Sequence, residues 1–132
     1  MKAELADKAE SYFRKGFNCA ESVLLAAIDI YDLNLNPEAV RLATGLGGGL
    51  GRGDVCGALS GAVLALGAAL GRIHQDQSQD AVKEVREQVV ADFESEFRSL
   101  GCRDLRTEDR EDCVAYVRQA AMALDQVLTQ KS

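Results

Sequence analysis

Apolar residues recur at helical spacing along almost the whole chain. Leu5, Ala9, Tyr12 and Phe13 fall at i, i+4, i+7 and i+8, which predicts an amphipathic helix over residues 3–15, ended by Gly16. In "NCAE", Asn18 is the expected N-cap and Glu21 its capping-box partner, starting a helix over about 19–31 through Val23, Leu24, Ala27, Ile28 and Tyr31. A short third helix follows from Asn36 as cap and Pro37 at its first position, with Gly45 as its stop. Past a glycine-rich loop, Asp54 is placed to cap an apolar helix through "VCGALSGAVLALGAALGRI".

In that run Gly57 and Gly61, then Gly67 and Gly71, sit four apart, so neighbouring helices are expected to approach its backbone closely. Val82, Val85, Val89, Phe93 and Phe97 mark one face of a long helix from Ser78 to Leu100, with Gly101 as its C-cap. The last helix, about 108–129, carries Cys113, Val117, Ala120, Leu124 and Val127 on one stripe, and "RTEDREDC" reads as its charged start. No strand alternation and no internal repeat is visible. The pattern predicts an all-α fold of five to six helices packed around a buried Gly/Ala-rich central helix.

Composition narrows this picture. At 132 residues the chain is expected to be a single helical domain, 1–132, able to fold without disulfide staples. Only 5% of residues are aromatic, so the core must be aliphatic and tightly packed. A net charge of −6 argues against nucleic acid, whose phosphates need clustered Lys and Arg. The apolar run is too rich in Ala and Gly for a membrane span, and an exposed Ala/Gly helix face would suit a homodimer. "MKAELADKAE" shows no export signal, which points to the cytoplasm.

In a reducing compartment cysteines are read as metal ligands or redox groups before they are read as structural disulfides. The four here are Cys19, Cys56, Cys102 and Cys113. Cys19 directly follows the Asn18 cap and Cys56 lies two residues past Asp54, so each is expected in the first turn of a helix. Free amides and the helix dipole stabilise a thiolate there. Gly53 and Gly57 flank the second thiol with no side chain, leaving room for a cofactor or a second sulfur.

Cys102 follows Gly101, and Cys113 lies on the last stripe. No C-x-x-C pair and no C-x-x-C-H is present, so a zinc ribbon, a thioredoxin motif and covalent haem are excluded. The glycine loop also fails as a phosphate cradle. Leu50, Arg52 and Asp54 stand where a third glycine of G-x-G-x-x-G is needed, and Arg52 is the one nearby cation. His74 reads as a surface cap at the end of the apolar helix.

The order of the four cysteines, with Cys56-Gly57-Ala58-x-x-Gly61 at the second, resembles a family described as redox-active and named for a C…CGAxxG…C…C pattern. The resemblance covers nearly the whole chain, "FNCAESVL" included. It implies small helical proteins with thiol-redox or metal-cluster chemistry, and it is similar to a domain fused to certain multihaem cytochromes, which implies electron transfer. Two readings stand at this point. One is a redox protein, a thiol oxidoreductase or an electron carrier, with its nucleophilic thiolate at Cys19 or Cys56, a second cysteine resolving the disulfide, and a redox partner protein. The other is a module in which Cys19, Cys56, Cys102 and Cys113 ligate zinc or an iron–sulfur cluster.

Overall fold

The computed structural model describes residues 4–131 and is all-α. Helix α1 spans Glu4–Arg14 and buries Leu5, Ala9 and Phe13 of the predicted stripe, with Tyr12 half-buried; residue 3 of the expected helix lies outside the described residues. Gly16 ends the turn after it at φ +114°, a left-handed conformation suited to glycine. Helix α2 spans Cys19–Ile30 and starts with the predicted capping box. The Asn18 side chain accepts from the Glu21 N–H at 2.9 Å, and Glu21 accepts from the Asn18 N–H at 2.9 Å.

Asn18 also donates through Nδ2 to the Thr44 carbonyl at 3.0 Å, so one side chain both starts α2 and fixes the next segment against it. Asn18→Ala is therefore expected to cost about 1–2 kcal/mol, seen as a fall in melting temperature of roughly 4–8 °C.

The segment after α2 departs from expectation. Asn36 caps and Pro37 leads as predicted, but Pro37–Leu46 winds as consecutive 3₁₀ turns instead of an α-helix. Only Ala43 of this segment is buried, and so narrow an apolar face cannot hold a regular helix against the core.

Helix α3 spans Gly57–Leu70 and starts later than predicted. Cys56, not Asp54, occupies the N-cap. The cause is a single antiparallel bridge between Val55 and Gly101 that holds the chain extended before the helix. Its rungs are Cys56 N–H to the Leu100 carbonyl and Cys102 N–H to the Asp54 carbonyl, both 2.7 Å. Helix α3 packs against α2, against α4 (Asp80–Phe97) and against the last helix of the chain, residues 114–131.

Of its glycines, Gly57 and Gly61 meet the start of α2, whereas a Cβ at Gly67 would meet nothing and one at Gly71 would meet its own helix. The predicted close approach is thus confined to the first half of the helix. His74 lies past the helix end, exposed.

Helix α4 buries Val85, Val89 and Phe93 and ends at Arg98, whose φ of +63° makes it the C-cap. Gly101 was expected in that role; instead it is extended and caps the short helix α5, Cys102–Leu105. The final helix α6, Val114–Lys131, is preceded by a 3₁₀ turn, Arg110–Cys113, so Cys113 sits at the junction and not within the helix. The predicted stripe Val117, Ala120, Leu124 and Val127 is fully buried or nearly so. No helix of the described residues is long and apolar enough to cross a membrane.

Candidate redox site

Four separate stretches of chain each deliver one cysteine to the same region. Cys19 is the first residue of α2, Cys56 the N-cap of α3, Cys102 the first residue of α5 and Cys113 the last of the 3₁₀ turn before α6. Cys56 and Cys102 are buried, Cys19 and Cys113 half-buried, and all four are free thiols. Negative charge on Cys102 is felt at Cys19, Cys56 and Cys113, and charge on Cys19 is felt at Cys56 and Cys113. The Val55–Gly101 bridge sets Cys56 beside Cys102, the Cys19 sulfur lies against Gly57, and Cys113 is within electrostatic reach of Cys19 and Cys102.

Local structure explains the proximity. A Cβ on Gly57 would overlap the Cys19 sulfur and stand 3.0 Å from the Leu46 carbonyl oxygen. The missing side chain is the space the sulfur occupies. Next to it runs a left-handed loop in which Gly48, Gly49, Leu50 and Gly51 all have φ between 61° and 72°. Such a run is costly for L-residues and natural for glycine. It closes through Asp54 N–H to the Gly49 carbonyl at 3.0 Å, and a Cβ on Gly49 would collide with the Asp54 backbone.

The loop turns the Gly48 amide towards the Cys19 sulfur. Gly53, the other glycine expected beside the thiol, packs on Arg103, whose guanidinium donates to the Arg52 carbonyl at 3.0 Å. Both flanking glycines thus serve close approach of protein groups.

The electrostatics are a contest between burial and backbone dipoles. The amides of Gly48 and Ala20 favour a Cys19 thiolate, and those of Ala58 and Leu59 favour one at Cys56, as expected at helix starts. Burial is nevertheless the larger cause. It raises Cys19, and it pushes Cys56 up to about 12 with help from the neighbouring Cys19 and Cys102. Cys113 is raised by burial, then by Cys19 and Cys102, while the Arg110 guanidinium pulls it down. Buried like charges are costly in low dielectric, so at neutral pH Cys56 is held as a neutral thiol.

Two supporting residues escaped the sequence reading. Tyr116 donates to the Leu105 carbonyl at 2.8 Å and stacks edge-on against Phe97 at 4.7 Å, tying the Cys102 helix to α6 and α4. Arg110 stacks on the Phe13 ring at 3.7 Å and donates to the carbonyls of Phe13 and Phe17, the latter two residues before Cys19. In sequence Arg110 is one charge among many in "RTEDREDC", with nothing to mark its distant partners.

A set of four thiols is suitable donor chemistry for zinc or an iron–sulfur cluster. Among the described residues, however, no three His, Cys, Asp or Glu side chains are placed to hold a metal ion. Compared with known families, residues 17–127 match the model described as "Putative redox-active protein (C_GCAxxG_C_C)". The chain belongs to this family. In this member of the C_GCAxxG_C_C family the central motif reads Cys56-Gly57-Ala58-Leu59-Ser60-Gly61, with the glycine after the cysteine where the family's label writes it before. The match spans all four cysteines and stops short of α1, which packs on α2 and α6. No curated protein and no solved structure matches the chain.

Proposed function

We propose that this protein carries electron pairs as dithiol and disulfide within the four-cysteine cluster, exchanging them with a redox partner protein. The observation that carries this reading is that free thiols from separate chain segments lie side by side, the Cys19 sulfur against the residue after Cys56 and Cys102 across the Val55–Gly101 bridge from Cys56. Two thiols joining as one S–S bond release two electrons and two protons, and the disulfide has no group left whose ionisation burial would penalise.

Of the two cysteines at α-helix starts suggested as nucleophile, Cys19 suits the role better. Burial raises both thiols and helix-start amides favour both thiolates, but Cys19 is half-buried whereas Cys56 is 5% exposed and pushed up to about 12.

The test is anaerobic purification followed by metal analysis, a visible spectrum and thiol titration. Four titratable thiols without stoichiometric metal, falling to two or none after mild oxidation, are the expected result. Stoichiometric iron or zinc would replace this reading with a metal centre. Cys56→Ser is expected to remove one of the disulfides formed, read by peptide mapping.

A further inference from the structure

The turn that carries Cys113 is fastened to the end of α1 and the segment leading into the Cys19 helix by two adjacent residues acting in opposite directions. Arg110 reaches across to the α1–α2 junction. Its Nη1 donates to the Phe13 carbonyl at 2.8 Å, its Nη2 to the Phe17 carbonyl at 2.6 Å, and its guanidinium lies on the Phe13 ring. Glu111 receives a bidentate pair from Arg14, at 2.6 and 2.7 Å. A planar fork held at two carbonyls and a ring fixes a direction as well as a distance, which a single ion pair does not.

The other half of the cluster is fastened differently. Cys56 and Cys102 are held by the rungs of the Val55–Gly101 bridge, and both are buried. The cluster thus divides into an inner pair on the bridge and an outer, half-buried pair on the clamp.

We infer that Cys19 and Cys113 are the pair that exchanges with an external disulfide, and that Arg110, with Glu111, is a positioning residue for that pair. This rests on the dithiol reading above. In the step, the Cys19 thiolate attacks one sulfur of a partner disulfide, forming a mixed disulfide and expelling the other partner sulfur as thiolate. Cys113 then attacks the Cys19 sulfur, closing Cys19–Cys113 and releasing the second partner thiolate. The two protons lost by Cys19 and Cys113 end on the two partner thiolates, so two thiols and one disulfide become one disulfide and two thiols. Arg110 holds the second attacker within reach and places positive charge near its sulfur.

The test titrates the full-length reduced protein with oxidised glutathione, traps the thiols by alkylation and maps the disulfides, in wild type, Arg110→Gln, Arg110→Lys and Glu111→Gln. The first disulfide in wild type should join Cys19 to Cys113. In Arg110→Gln its equilibrium constant should fall about tenfold, raising the reduction potential by about 30 mV. Arg110→Lys, which keeps the charge and loses the fork, should recover part of that change, and Glu111→Gln should show a decrease of about threefold. These last two variants carry the test should Arg110→Gln fail to fold.

A first disulfide between any other two cysteines, or potentials unchanged across the variants, would overturn the assignment and leave the dithiol reading standing. No disulfide of any pairing would overturn both.

Discussion

Gly57→Ala is expected to destabilise the protein by about 1–3 kcal/mol and to slow disulfide formation by the cluster at least tenfold. Ordinarily this exchange strengthens a helix, by up to about 1 kcal/mol in an interior position. The sign reverses because the new methyl would fall on the Cys19 sulfur, with the Leu46 carbonyl oxygen and the Gly47 backbone closing the other sides. Backbone cannot yield cheaply, so the sulfur must leave the position it holds against Gly57. A double-mutant cycle isolates this cause. In a Cys19→Ala background the sulfur is gone and much of the penalty should vanish, a coupling of about 0.5–3 kcal/mol. Equal destabilisation in both backgrounds, measured by denaturant unfolding, would show that the glycine answers to the backbone contacts alone.

The same glycine shows how far the sequence could be read. Its lack of a side chain beside Cys56 suggested an approach by something, but the sulfur that approaches comes from Cys19, far away in the chain. What is encoded within one or two turns was legible. The Asn18–Glu21 capping box and the stripes Val85-Val89-Phe93 and Val117-Ala120-Leu124-Val127 need only neighbours three or four residues off.

What depends on distant partners was not. The start of α3 moved from Asp54 to Cys56 because Gly101, expected to end a helix, pairs with Val55 instead. Nothing local to either segment announces an isolated bridge. Leu50 is a further case, since a leucine at φ +62° contradicts its own intrinsic preference and is tolerated only inside a loop that glycines on either side have already wound left-handed. Arg110 was invisible for the same reason, its three contacts lying on Phe13 and Phe17. The four cysteines were legible as a set. Their placement was not, because it depends on α2, α3, α5 and the turn before α6 all being in place.

The state of the cluster should also govern stability in alkali. The Cys56 thiol moves from an ordinary value of 9.0 in the open chain to about 12 in the folded protein, chiefly through burial and then through Cys19 and Cys102. Cys19 and Cys113 are raised too, again with burial as the first cause. A group whose acid form is favoured by folding binds its proton more tightly in the native state. The stability it contributes is whole below pH 9.0 and drains away as pH climbs towards 12, because over that window the unfolded chain has released a proton the folded chain retains. For Cys56 alone the loss across the window is on the order of a few kcal/mol.

A sulfur locked in a disulfide has no proton to release, so the oxidised protein should be spared this loss. Tyr12, held up by Asp29 and by burial, and Tyr31, held up by burial and by Asp125, are both pushed up to about 12 and destabilise either form alike in the same alkaline range. The informative quantity is therefore the difference between the two forms. Melting curves of reduced and oxidised protein should keep a constant gap from pH 7 to 8.5 and diverge from pH 9 upward, the reduced form falling faster, by roughly 4 °C for each kcal/mol lost. Parallel curves through pH 10.5 would mean that the thiols titrate as they do in an open chain, and that the buried, mutually repelling cluster does not hold its protons.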